Sequence, residues 1–167
     1  QEAAQKFESF ELMPALTKRF IGHLQTNKIN NCLELFDTID SVDSTRLAQK
    51  ISSRAKALNK NPLILLEVNT SGEVQKHGFI PQQRNEILFC LEEPNIRITG
   101  LMTVGPRTTN KKQIRKAFVA LRNLRDSINQ ELGNAALKDL SIGMSEDYEI
   151  AAEVGSTMVR IGTALFG

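Results

Sequence analysis

The feature that most restricts this chain is a series of short, nearly unbroken apolar runs separated by amphipathic stretches. Six runs stand out: Arg19 to Gly22, Leu35 to Val42, Leu63 to Thr70, Ile96 to Val104, Leu137 to Gly143 and Thr157 to Ile161. A strand with one wet face alternates apolar and polar residues, whereas a strand covered on both faces reads as a continuous apolar run. Most of the six are continuous. They predict parallel strands, and parallel strands require long crossover connections, usually helical.

The crossovers are legible. Ser44 has the side chain of an N-cap, and Leu47, Ala48, Ile51, Ala55 and Leu58 follow on one helical face. Ile114, Ala117, Phe118, Leu121, Leu124 and Ile128 repeat the pattern between the fourth and fifth runs, with Gly133 as its stop signal. Asn85 to Leu91 supplies a shorter helix, and Pro62, Pro94 and Pro106 sit at strand borders, where a missing N–H costs least. Six βα units in a row suit either a doubly wound sheet or a (β/α)8 barrel short of two units. The chain opens at Gln1 and stops at Phe166-Gly167 directly after an apolar strand, so the expectation is a single domain over 1–167, truncated at both ends.

Composition excludes more than it assigns. Apolar residues make up 41% of the 167, enough for a folded core. The 21 basic and 19 acidic residues leave a net charge of +2, so no global field points to nucleic acid or to an anionic membrane. Lys111, Lys112, Arg115, Lys116, Arg122 and Arg125 read as the solvated face of a helix, with no interleaved aromatic residues to stack on bases. No apolar run approaches the ~18 residues of a membrane span, and no signal peptide opens the chain, which leads to an expected cytoplasmic location. Cys32 and Cys90 lack CxxC spacing and read as buried free thiols; no metal site is expected.

Chemistry concentrates at the ends of the runs. Ser141, Gly143 and Ser145 close one strand, and Arg160, Gly162 and Thr163 close the next. Each residue has a plain structural explanation as a turn, a cap or an ion-pair partner. Arriving together at two consecutive strand ends, they offer backbone N–H groups, hydroxyls and a guanidinium to one small anion, which points to a phosphorylated cofactor. His23 ends the first run beside Gly22, either facing the ligand end of a barrel or satisfied by a backbone carbonyl. Met102 either presses on a flat ligand or fills an inner barrel layer. Asn69 and Thr70 either donate to a ligand or form a turn with Ser71 and Gly72, and Lys76 and His77 read as solvated.

Six stretches together resemble the pyridoxal phosphate homeostasis protein family, single-domain relatives of the alanine racemase barrel. They are Phe20-Ile-Gly-His-Leu-Gln-Thr-Asn-Lys28, Ile39-Asp-Ser-Val-Asp43, Val68-Asn-Thr-Ser-Gly-Glu73, Gly100-Leu-Met-Thr103, Leu140-Ser-Ile-Gly-Met-Ser145 and Gly155-Ser-Thr-Met-Val-Arg-Ile-Gly-Thr-Ala-Leu-Phe-Gly167. The resemblance implies an α/β fold, a (β/α)8 TIM barrel of the alanine racemase type, here with six parallel strands and without the first two βα units. It also implies pyridoxal 5′-phosphate (PLP) as cofactor, with PLP-dependent apoenzymes as further partners. By the same resemblance Arg160 faces the pyridine nitrogen, Gly162 and Thr163 hold the phosphate with Ser141 nearby, and His23 and Met102 lie near the ring.

The family's Schiff-base lysine lies on a first barrel strand that this chain does not match: Gln1-Glu-Ala-Ala-Gln5 corresponds only to a later helix, and neither Lys28 nor Lys60 takes the lysine position. Covalent attachment is accordingly not expected of these 167 residues. An arginine at the pyridine nitrogen opposes its protonation and weakens the ring as an electron sink. The sole tyrosine, Tyr148, reads as a surface residue at a helix start. These points favour a carrier or regulator of PLP homeostasis. The alternatives are a PLP-dependent racemase or related lyase at the same site, and a barrel for another phosphate ligand such as a sugar phosphate.

Overall fold

A computed structural model of the chain describes residues 16–167. The helix expected to include Gln1 to Gln5 lies outside the described residues. Six strands form one sheet: β1 (Arg19–Phe20), β2 (Thr38–Val42), β3 (Leu63–Glu67), β4 (Arg97–Met102), β5 (Asp139–Met144) and β6 (Met158–Arg160). All five pairings are parallel, and the strands neighbour one another in chain order. That order separates the two architectures left open by the sequence. A doubly wound sheet reverses direction at a switch point, and this sheet never reverses. Right-handed crossovers repeated in one direction place every helix on the same face and curl the sheet as in a barrel, giving a parallel α/β half-barrel.

Among the described residues the helices are α1 (Ile29–Leu35), α2 (Thr45–Ala57), α3 (Arg84–Leu91), α4 (Lys111–Leu132), α5 (Tyr148–Val154) and α6 (Thr163–Phe166), with a 3-10 turn at Thr26–Lys28. Ser44 caps α2 as its side chain suggests, its Oγ accepting from the Leu47 N–H at 3.3 Å. Asn110 does the same for α4, accepting from Lys112 and Gln113, and Gly133 ends that helix with φ +65°. The apolar faces of the two helices, Leu47, Ala48, Ile51 and Ala55 on α2 and Ile114, Ala117, Phe118, Leu121 and Ile128 on α4, are buried. Each large aliphatic or aromatic side chain so buried contributes roughly 1.5–3 kcal/mol. The same cluster takes in Ile39, Val42, Ile64, Leu66, Leu101, Leu140 and Ile142 from the strands.

The expected strands were too long at their ends. Leu35 belongs to α1 and Phe36 to its C-terminal cap, so β2 begins only at Thr38. The run Leu63 to Thr70 ends as a strand at Glu67, after which Val68 makes only an isolated bridge to Phe79. Apolar continuity marks burial, and burial persists through the caps and turns that flank a strand.

Candidate functional site

Parallel strands put all their C-terminal ends on one side, so the loops carrying Asp43, Asn69, Thr103, Ser145 and Gly162 share that side. One register row approaches it: Glu67 stands opposite Met102, Met102 opposite Ser141, and Ser141 opposite Met158. Arg160, at the end of β6, reaches back over this row. Its Nη1 donates to the Ser141 carbonyl at 3.0 Å and to Ser141 Oγ at 2.8 Å, and its Nη2 donates to the Thr103 carbonyl at 2.8 Å. Thr103 is held in turn, its Oγ1 donating to the Val68 carbonyl at 2.6 Å and lying 3.1 Å from Thr70 Oγ1. Burial pushes the Arg160 pKa below its ordinary value, while the charges of Asp40, Glu67 and Asp147 act in the opposite direction. Among the described residues no carboxylate pairs directly with it, so its anchors are carbonyls and a hydroxyl. A guanidinium keeps its proton in such a setting.

A cavity of about 810 Å³ opens beside Arg160, bounded by Arg19 of β1, Ile21 just after it, Asp40 of β2 and the segment from Met158 to Thr163. Pockets that hold small ligands run to roughly 300–1,000 Å³. Gly162 faces open space: a Cβ placed there meets no atom within 4 Å. The backbone N–H groups of Gly162 and Ala164 both donate to Ser145 Oγ, at 3.3 and 3.2 Å. Asp147 fixes the turn between β5 and α5, its Oδ1 accepting from the Met144 N–H at 2.6 Å.

The structure thus brings Arg160, Ser141, Ser145, Gly162 and Thr163 together and gives them different places. Ser145, Gly162 and Thr163 border the cavity. Ser141 is fully buried and meets the site through Arg160. Gly143 is buried with φ +94°, and a Cβ there would come within 2.5 Å of the Ala151 side chain, so it lets α5 pack against β5. Met102 is buried in the register row, and His23 lies apart from the cavity lining, against Asp43. Tyr148 is the exposed first residue of α5.

Three elements of the site go beyond what the sequence pattern points to. Asp40, fully buried, receives Arg19 through two bonds, Nε to Oδ2 at 2.8 Å and Nη2 to Oδ1 at 3.0 Å. Both residues fall inside apolar runs, where a charge on an inward-facing position was the available clue. Glu67, at the end of β3, carries a carboxyl whose pKa is raised by burial and by Asp43, with His77 and Arg160 opposing. Lys76 donates from Nζ to the Gly105 carbonyl and pairs with Glu73, tying the loop after β3 to the loop after β4, so it is largely buried and not solvated as its loop position suggests.

The residues fit a phosphorylated pyridine: the lining holds an anchored guanidinium that no carboxylate among the described residues pairs with and, two residues on, an open glycine with neighbouring N–H donors. Comparison with known proteins agrees. The alanine racemase N-terminal domain family matches residues 2–167. A pyridoxal phosphate homeostasis protein of Aquifex aeolicus (strain VF5) is 43% identical over 168 residues, spanning 100% of this chain and 73% of that relative. PipY of Synechococcus elongatus, solved with PLP bound, superposes with a TM-score of 0.90 at 32% identity over 100% of this chain and 78% of its own. Its PLP-free form gives a TM-score of 0.93 at 33% identity, with the same coverage. The chain belongs to the pyridoxal phosphate homeostasis protein family, within the alanine racemase N-terminal domain fold.

Proposed function

We propose that this chain holds PLP in the cavity headed by Arg160 and serves PLP homeostasis, keeping the cofactor at low free concentration and passing it to PLP-dependent apoenzymes in the cytoplasm. The observation that carries the reading is the Arg160 guanidinium, anchored by Ser141 and Thr103 and, among the described residues, free of a directly paired carboxylate. PipY, with PLP bound, supports it at 32% identity.

In this reading Arg160 faces the pyridine nitrogen, and the backbone of Gly162 and Thr163 takes the phosphate with Ser145 beside them. When bound, PLP supplies a reactive aldehyde on an electron-poor ring. Arg160 works against that electron deficiency: a fixed cation beside the ring nitrogen disfavours its protonation. The exposed position of Tyr148 adds no proton donor or acceptor at the cavity, which it does not line. Binding and release suit these residues better than turnover. Among the described residues no helix is long and apolar enough to cross a membrane.

Titration of the chain with PLP, followed calorimetrically, tests the proposal. One PLP per chain is expected, with affinity falling on the order of tenfold or more in Arg160→Ala. A sugar phosphate lacks the ring nitrogen, so its binding would change less in the same variant. Failure of the wild-type chain to take up PLP, or equal binding by Arg160→Ala, would overturn the assignment.

A further inference from the structure

A second cluster of ligand-type side chains stands at the same end of the sheet, outside the Arg160 cavity. His23 follows β1, Asp43 follows β2 and His77 follows β3. Asp43 Oδ2 lies 3.4 Å from His23 Nδ1 and 3.8 Å from His77 Nδ1. The three ligand atoms all fall within 4.8 Å of one another. We infer that His23, Asp43 and His77 form a site for one divalent transition-metal ion of the Zn2+ class, with water completing its coordination.

The distances and the donor set carry this inference. Zinc binds imidazole nitrogen and carboxylate oxygen at about 2.0–2.2 Å, and tetrahedral ligand atoms then stand about 3.4 Å apart. The separations from Asp43 to the two histidines, 3.4 and 3.8 Å, match or slightly exceed that value, so small side-chain movements close the shell. Two imidazoles with one carboxylate select Zn2+ and its transition-metal neighbours over Mg2+ or Ca2+, which prefer oxygen-only shells.

Asp43 is already oriented for the role. Its other oxygen, Oδ1, accepts from Ser44 Oγ at 3.1 Å, and this leaves Oδ2 turned to the histidines. A carboxylate ligand fixed by an outer hydrogen bond is the usual arrangement around a bound metal. The two imidazole rings stack with centroids 4.1 Å apart and 17° between planes. An ion must lie in the plane of each ring it binds, so the rings turn about Cβ–Cγ as it enters. Side-chain exposures of 48% for His23 and 57% for His77 leave room for that turn.

The inference is independent of PLP and is tested without it. Zn2+ is titrated into the chain by calorimetry and Co2+ by visible absorbance, in parallel with thermal unfolding. The expected result is one ion per chain and a Tm that rises with Zn2+. In His23→Gln, His77→Gln and Asp43→Asn, affinity should fall on the order of 100-fold, and in Ser44→Ala about tenfold. The histidines are surface residues, so these two variants should fold as the wild type does, which far-UV circular dichroism verifies. No uptake by the wild-type chain would overturn the assignment, as would undiminished affinity in the double variant His23→Gln/His77→Gln.

Discussion

Arg160 and Ser141 are joined twice, the guanidinium donating both to the serine carbonyl at 3.0 Å and to its hydroxyl at 2.8 Å. The pair links β6 to β5, and the third bond, to the Thr103 carbonyl, extends the link to the end of β4. Lysine keeps the charge and loses the planar fork that makes these bonds together. Arg160→Lys should therefore cost roughly 1–3 kcal/mol in urea unfolding, since buried acceptors lose their donors. PLP affinity should fall about tenfold with it; a variant that unfolds earlier yet binds PLP as before would confine Arg160 to holding strands together.

Two glycines near the site should respond in opposite ways. At Gly143 an added methyl meets Ala151 at 2.5 Å, on a backbone with φ +94°. Gly143→Ala should destabilise the fold by about 1–3 kcal/mol. At Gly162 an added methyl meets nothing within 4 Å and the backbone has φ −120°, outside the left-handed region. Gly162→Ala should hold stability within about 0.5 kcal/mol of wild type while weakening PLP binding. Unfolding curves and PLP titrations of the two variants check this, and an unimpaired PLP affinity in Gly162→Ala would remove that position from the cofactor's reach.

The contrast between these glycines shows what the sequence could and could not reveal. Gly143 and Gly162 look alike as strand-end glycines flanked by hydroxyl residues, and only packing separates a glycine that admits a helix from one that borders a cavity. The strands themselves were legible because buried parallel strands leave unbroken apolar runs, while the choice between barrel and doubly wound sheet depended on which strands neighbour which. The Arg160 group was legible because its members crowd two consecutive strand ends. The Arg19–Asp40 pair was not, since its members are 21 residues apart and meet only when β1 lies beside β2. His77 joins His23 for the same kind of reason: loops after different strands converge at one end of a parallel sheet.

Asn129 supports the route into β5 from a distance. Its Nδ2 donates to the Leu137 carbonyl at 2.9 Å and its Oδ1 accepts from the Leu137 N–H at 2.9 Å, serving both backbone groups of a buried residue in the loop after α4. Asn129→Ala leaves both without a partner, and a loss of about 1–3 kcal/mol is expected by chemical denaturation. Asn129→Asp restores only the acceptor and should recover part of that loss.

The Cys32 thiol supplies a pH dependence. Burial pushes its pKa up from 9.0 to about 12. A thiol freed by unfolding ionises near its ordinary value, so above that value the unfolded chain releases a proton that the folded chain keeps. Stability from this group is fully present below pH 9 and falls as pH rises from 9 toward 12. Cys32→Ala should flatten the alkaline limb of a stability–pH curve. Thiol-reactive dyes at neutral pH should label neither Cys32 nor Cys90 until the chain unfolds, both being buried.

Arg19 and Asp40 test how charge is held in the half-barrel. Asp40 is fully buried, takes two bonds from Arg19 and a third from Thr38 Oγ1 at 3.1 Å, and its charge also favours the protonated form of Arg160. Arg19→Ala strands the carboxylate without its counterion, which should cost about 3–5 kcal/mol. Removing both partners leaves no uncompensated charge, so Arg19→Ala/Asp40→Ala should be less destabilised than the sum of the single variants, by about 0.5–3 kcal/mol. The double variant removes one negative and one positive charge together, so the net charge beside the cavity is unchanged. Its PLP affinity should therefore stay near wild type in calorimetry even as its unfolding midpoint drops. A parallel fall in both would mean that Arg19 itself contacts the ligand.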